Sequence, residues 1–357
     1  MIEGVELAKE NVVMRAGRCA LTLLPHLGGK IASIRIGGQE MLQAPLAAYA
    51  ARTRCMRFDA GDASGWDECL PSVAACVVQT EAGAASIPDH GDLWRVQWRE
   101  IPGIGPEIAD REPDHSSAAR IALCGACFSL PLALERSIQL AESPSGYKLR
   151  LDYALRNTGA SPTPWSWAAH PLFAAEAGDR IVLPDSIREL RLEGSGGHRL
   201  GNRGDMVSWP VAALGDRSRT DWDRTARDRT DRDRTDWDRT DLSLVEAADS
   251  NIGDKLFAGP LRAAENWCAL ERPRAGMRIK VIFDPGAMPY LGLWICYGGW
   301  PDGPGPKQAC VALEPTTAPV DSLAETGPWS RTLAAGGSFS WSIEVEFQSM
   351  ECVDRYA

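Results

Sequence analysis

No uninterrupted apolar run in this 357-residue chain approaches the ~20 residues that a membrane-spanning helix requires, so no membrane partner is expected. The first residues, Met1-Ile2-Glu3-Gly4-Val5-Glu6, lack the basic start and apolar core of a secretion signal. Positive charge is not in excess: 38 Lys and Arg stand against 48 Asp and Glu, a formal net charge of −10. A general nucleic-acid binder needs a basic face to neutralise phosphates, and a membrane-surface protein needs a polybasic segment; neither partner is expected. Cysteine is sparse, with 10 residues, too few for a disulfide-scaffolded domain. Without a secretion signal these are expected as free thiols buried in the core. Long amphipathic helices are missing as well. These absences leave a soluble, cytoplasmic protein as the expectation, with 44% hydrophobic residues to build its core.

What the chain has in quantity is tryptophan (13), glycine (34) and proline (24). Many turn formers and many flat apolar rings fit an all-β scaffold, and such rings suit a sugar or another planar-faced ligand. The clearest periodicity is two. Tyr147, Leu149, Leu151, Tyr153 and Leu155 alternate with Lys148, Arg150, Asp152 and Ala154. Phe339, Trp341, Ile343, Val345 and Phe347 alternate with Ser340, Ser342, Glu344 and Glu346, and Trp94, Val96 and Trp98 alternate with Arg95, Gln97 and Arg99. Each pattern places its apolar set on one sheet face, and each predicts a strand. Shorter β-like runs lie at Cys19–Leu24, Lys30–Ile36, 75–80 and 278–283. Turn signals separate them, among them Gly28-Gly29, Gly37-Gly38, Ser145-Gly146 and Gly336-Gly337. The whole predicts a large antiparallel β-sandwich, one domain over residues 1–357.

One insertion breaks that domain at about 216–241. Threonine recurs at 220, 225, 230, 235 and 240, and Asp-Arg-Thr begins at 223, 228, 233 and 238, with Trp222 and Trp237 in equivalent places. A period of five matches neither helix nor strand, and the segment mixes both charge signs, so it reads as a low-complexity surface loop rather than a binding patch.

Two of the five histidines have notable surroundings. His90 lies in Pro88-Asp89-His90-Gly91-Asp92 just before the expected Trp94 strand, and His170 lies in Trp165-Ser166-Trp167-Ala168-Ala169-His170-Pro171. His26, His115 and His198 occupy turn-like contexts. Glu314 ends the apolar run Val311-Ala312-Leu313, where partial loss of water makes a carboxylate a better base. Cys124-Gly125-Ala126-Cys127 is a lone C-x-x-C in a strand-like stretch, without the second ligand pair of a structural zinc site; no metal site is expected.

In order along the chain, several motifs together resemble the aldose 1-epimerase (galactose mutarotase) superfamily. Gly28-Gly29-Lys30-Ile31-Ala32-Ser33-Ile34 followed by Gly38-Gln39-Glu40-Met41-Leu42 looks like its opening hairpin. His90-Gly91 and His170-Pro171-Leu172-Phe173 are similar to its two active-site histidine motifs. Asp254-Lys255-Leu256-Phe257 resembles the segment with a sugar-binding aspartate, and Ala312-Leu313-Glu314 through Asp321 looks like the stretch with the catalytic glutamate. The resemblance implies a β-supersandwich and a mutarotase that interconverts the α and β anomers of an aldose. It implies Glu314 as base, His170 as acid, His90 supporting near the ring oxygen, Asp254 fixing hydroxyls, and no cofactor. Trp66, Trp94, Trp167 and Trp300 are candidates for stacking on a sugar face.

The chain departs from the family where a Gly-Arg…Asn-Arg pattern is usual. There it reads Arg57-Phe58-Asp59 and then Gly65-Trp66-Asp67-Glu68, so Arg57 stands in for a substrate arginine and Trp66 and Asp67 enter as substrate contacts. Pro315-Thr316 stands where the family has Thr-Gln. Both mark a divergent member with an altered sugar preference. The expected partner is a small sugar, bound by a monomer or homodimer. Two alternatives are a non-catalytic sugar-binding protein on the same fold and a mutarotase for a phosphorylated or acidic sugar. The second would need several of Arg52, Arg54, Arg57 and Arg95 to converge on one anion.

Overall fold

The computed structural model describes residues 6–7, 11–102, 119–215 and 239–350. Among them two large antiparallel sheets carry the fold, one of twelve strands and one of eight. The all-β expectation holds. The eight-stranded sheet has Gly146–Asn157 at its centre, flanked by Leu132–Ser143 and Ser338–Ser349. Its register sets Leu149 against Val345, Leu151 against Ile343 and Tyr153 against Trp341. All six are buried, so the period-two apolar faces read from the sequence are the faces turned to the other sheet. Burying each such side chain contributes about 1.5–3 kcal/mol. The Tyr153 and Trp341 rings stack at 5.2 Å and 9°.

The middle of the twelve-stranded sheet runs through Lys30–Ile36, Trp66–Cys69, Ala168–Ala174, Ala309–Thr316, Tyr290–Tyr297 and Ile252–Ala258. These strands are buried on both faces, so their sequences show no clean alternation. Their inner residues, among them Ile31, Trp66, Ala169, Leu313, Leu293 and Leu256, join the inter-sheet core. Glu68 lies on that inner side too, completely buried. Arg136 Nη1 (2.8 Å) and the Tyr153 hydroxyl (2.9 Å) donate to it from the other sheet, and Trp167 Nε1 donates at 3.0 Å. Arg136 also donates to the Gly29 carbonyl, so one buried guanidinium ties the two sheets together.

Two expectations about the course of the strands need correction. Trp94–Trp98 is no strand: Leu93–Arg95 forms one 3-10 turn. The segment bonds to a loop instead of a ladder, with Gly28 N donating to Val96 O (3.0 Å) and Trp98 N to Pro25 O (2.8 Å). A Cβ on Gly28, at φ 77°, would sit 2.4 Å from Trp94 Cα, so only glycine permits that approach. Both tryptophans are buried, and the alternation reflected two large rings entering the core from irregular backbone. The other correction concerns the repeat. Arg239–Asp241, assigned to the insertion, is a strand paired with Val211–Ala213. Residues 216–238 of that insertion lie outside the described residues, as does His115.

Every described cysteine is a free thiol; Cys55 is exposed, and Cys76, Cys124 and Cys127 are only half-buried, so the expected core burial fails for those four. Among the described residues no helix is long and apolar enough to cross a membrane.

Candidate active site

Alternation along the central strands sends every second side chain to the outer face of the twelve-stranded sheet. On that face lie Lys30, Asp67, His170, Glu314 and Lys255, each from a different strand. The register pairs Asp67 with His170. It also pairs Ala168 with Thr316 and Leu172 with Ala312, which brings His170 level with Glu314. Lys30 Nζ is 2.6 Å from Asp67 Oδ2, His170 Nε2 is 3.7 Å from Glu314 Oε1, and Lys255 Nζ donates to Glu314 Oε2. The result is a buried row of cation, anion, imidazole, anion and cation across the sheet. Glu314 is completely buried, and its Oε1 has no hydrogen-bond partner among the described residues.

Glycine makes room for that carboxylate. Gly292 is the register partner of Glu314 on the next strand. A Cβ there would lie 2.9 Å from Glu314 Oε2 and 3.2 Å from Phe257 Cε1. Neither neighbour has space to yield, because Glu314 and Phe257 are both buried.

Loops wall a cavity of about 260 Å³ over this row, its lining including His90, His170, Lys255, Asp321, Phe58 and Trp300. That is below the ~300–1,000 Å³ of sites for drug-sized ligands and suits a single small ring. His90 sits at φ 57°, and its Nδ1 lies 2.9 Å from Asp89 Oδ2. Phe58 stacks on the His90 ring at 3.6 Å and 8°, and the rings of His90 and His170 meet edge-on at 5.2 Å. Asp321 Oδ1 lies 3.8 Å from Lys255 Nζ.

The electrostatics follow from burial and neighbours. Burial, then the charges of His90, Lys255 and Lys30, hold His170 well below the usual histidine range, so it is neutral at pH 7. Burial pushes the Asp321 carboxyl up to about 6, against the pull of Lys255. Burial pulls the Lys255 ammonium down, but Glu314 and Asp321 outweigh it and hold the group above its ordinary value. For Asp89, burial is outweighed by the hydrogen bond and charge of His90, and the carboxyl falls below its usual value.

The structure thus brings His90, His170 and Trp300 to the cavity, with the buried Glu314 beside His170. It does not bring the other expected residues to the cavity. Trp66 is fully buried between the sheets, because its alternation parity points inward. Asp67 shares the outer face but is held by Lys30. Trp94 lies buried beneath the guanidinium of Arg95, 4.0 Å from its ring centroid, and Trp167 is in the core. Asp254 points to the inner side, where Arg199 and Ser195 hold it. Arg57 is exposed and paired with Asp59. Arg95 donates to the carbonyls of Met56, Asp89 and Gly91, Arg54 lies over the Phe128 ring, and Arg52 lies over Trp94. Among the described residues, then, no convergent arginine cluster faces the cavity.

Sequence reasoning missed Lys255, Asp321, Asp89, Phe58, Trp294 and Gln308, all in the lining. Lys255 adjoins Asp254, and strand parity is the signal that separates them, hidden here because Ile252–Ala258 is buried on both faces. Asp89 adjoins His90. Trp294 is fixed from a loop, its Nε1 donating to Gln308 Oε1 at 3.0 Å, and a contact between distant segments leaves no local pattern.

No protein-family model and no curated protein matches the chain. Solved structures do. The Slr1438 protein of Synechocystis sp. PCC 6803 superposes with a TM-score of 0.65 at 16% identity, covering 98% of each chain. A galactose mutarotase-like protein from Clostridium acetobutylicum gives 0.61 at 13% identity over 97% of this chain and 98% of that one. One from Lactobacillus casei gives 0.58 at 14% identity over 95% and 100%. At these identities the likeness shows the fold: the chain has the galactose mutarotase-like β-sandwich.

Proposed function

We propose that this protein is a carbohydrate mutarotase that interconverts the anomers of a small aldose by acid and base ring opening. The observation that carries the reading is Glu314 Oε1, without a hydrogen-bond partner among the described residues and 3.7 Å from the Nε2 of His170, which lines a single-ring cavity with His90. Opening a pyranose requires a base for the O1 proton and an acid for the ring oxygen. Lys255 occupies Oε2 of Glu314 and leaves Oε1 as the oxygen that takes the proton. His90 and His170 both line the cavity and can supply that proton, and Phe58 and Trp300 offer apolar faces for the sugar ring. Two of the structural neighbours, from Lactobacillus casei and Clostridium acetobutylicum, are named galactose mutarotase-like, which agrees with this reading.

The test is proton exchange NMR between the α and β signals of a panel of aldoses, with and without the protein. Faster exchange supports the mutarotase; line broadening without exchange supports a binding protein. The panel includes aldose phosphates and uronic acids. Among the described residues the lining holds Asp89, Asp321 and no arginine, and its one lysine, Lys255, is already taken by Glu314, so these anionic sugars are expected to exchange at least tenfold less efficiently than neutral aldoses. Equal or better turnover of a phosphate would overturn that preference.

Gly292→Ala is expected to slow exchange by about 10²-fold, because the added methyl group displaces the Glu314 carboxylate. The same NMR assay reads the effect, and unchanged kcat would show that the carboxylate can move without loss.

A further inference from the structure

Two histidines border the cavity, and their surroundings differ. His170 belongs to the buried row of Lys30, Asp67, Glu314 and Lys255. That row already holds two cations and two anions, and Asp321 adds a carboxyl 3.8 Å from Lys255. Each carboxylate of the row is already held by a lysine, and His170 Nε2 stands 3.7 Å from Glu314 Oε1, so a proton on this buried ring has no carboxylate in hydrogen-bond contact. His90 stands outside the row, on a turn with water access: its side chain is 19% exposed and its own carboxylate, Asp89, meets Nδ1.

The turn is rigid. His90 N donates to Val73 O at 2.5 Å, and Arg95 Nη1 donates to Asp89 O at 2.7 Å. A Cβ on Gly91 would lie 2.2 Å from Leu70 O, so the backbone has no room to shift there. Phe58 covers one ring face at 3.6 Å, and with Nδ1 held by Asp89 the ring nitrogen left for a ligand is Nε2.

We propose that Asp89 and His90 form a charge-paired donor that delivers the ring-oxygen proton from His90 Nε2, with Asp89 the positioning residue, and that His170 stays neutral beside Glu314. This rests on the mutarotase reading. The depressed Asp89 carboxyl and the strongly depressed His170 imidazole agree with it. The charged groups around His90 are Asp89 on its own turn, Arg95 behind that turn, Asp321 and Lys255 across the cavity, and His170 edge-on.

The step balances. Glu314 Oε1 takes the O1 proton, the O1–H electron pair becomes the second C1–O1 bond, and C1–O5 breaks with its pair on O5. O5 takes the proton from His90 Nε2. Glu314 is then protonated, His90 is neutral, and the sugar is an open-chain aldehyde. After rotation about C1–C2, O5 attacks the other face of C1 and returns its proton to His90, while Glu314 returns its proton to O1.

The test compares pH profiles of kcat/KM for the wild type, Asp89→Asn, His90→Gln and His170→Gln, with 15N NMR of the imidazole nitrogens of the wild type. Activity should fall as pH rises through the loss of the His90 proton. Asp89→Asn should move that basic limb to lower pH by about one unit, since it removes a carboxylate in contact with the imidazolium. His90→Gln should abolish the limb, and His170→Gln should lower the rate and leave the limb in place. NMR should show His90, and not His170, losing a proton across the limb. A limb that stays put in Asp89→Asn, or NMR that assigns the proton to His170, overturns the inference while mutarotation stands. Absence of exchange with every aldose refutes the mutarotase reading itself, and the inference with it.

Discussion

Glu314→Gln is expected to lower kcat for anomer exchange by about 10²–10⁴-fold and to leave sugar affinity within a few fold. The variant keeps the side-chain length and can still accept a bond from Lys255 at one atom, but it cannot hold the O1 proton. At about 1.36 kcal/mol per decade, the loss corresponds to roughly 3–5.5 kcal/mol of barrier. Affinity should persist because the ring contacts come from the lining residues, among them Phe58, His90 and Trp300, and Glu314 is asked only to hold a proton. Saturation of the sugar signals against protein concentration gives the affinity, and exchange NMR gives the rate. A loss confined to the rate identifies proton transfer. A parallel loss of both would mean that the buried Lys255 and Glu314 pair holds the cavity in shape. Unchanged exchange would remove Glu314 from the chemistry and sink the mutarotase mechanism.

Much of this is legible in the chain, for identifiable reasons. The strands at 146–157 and 338–349 have one buried face each, so alternation marks both their identity and the direction of every side chain. The central strands of the other sheet are covered on both faces, and there the sequence shows buried strands without showing which residues face which way. Asp254 and Trp66 for that reason stand one residue out of phase with Lys255 and Asp67, the residues that reach the outer face. Shifting parity by one position exchanges the two faces of a strand. The motif glutamate and the two histidines can be found because adjacent prolines and glycines set them apart from their surroundings. Phe58, Gln308 and Asp321 come from segments that meet only in the folded chain, and no spacing announces them.

The strand that carries Asp67 to the site face carries Glu68 to the core, which makes the inter-sheet ion pair the place where stability is most exposed to a single change. Arg136→Met is expected to destabilise the protein by about 3–5 kcal/mol at pH 7, because it leaves the Glu68 carboxylate buried with no cation. Stability of a whole domain is only about 5–15 kcal/mol, so this variant should shift urea unfolding strongly. The sign of its pH dependence is fixed. Burial already raises the Glu68 carboxyl above its ordinary value, against the pull of Arg136, and without Arg136 it must rise further. The folded state then binds more protons than the unfolded chain between the ordinary carboxylate range and that raised value. Stability therefore falls as pH rises through this window and is recovered as pH drops. The penalty in Arg136→Met should accordingly shrink between pH 7 and pH 5. In the double variant Glu68→Gln, Arg136→Met the charge is gone, and the introduced amide oxygen can still accept from Tyr153 or Trp167. That variant should be more stable than Arg136→Met and should lack the part of the pH dependence that the stranded Glu68 adds. If the single and double variants unfold at the same urea concentration, the cost lies in the lost packing of Arg136 against Trp98, whose ring centroid is 4.9 Å away, and not in a stranded charge.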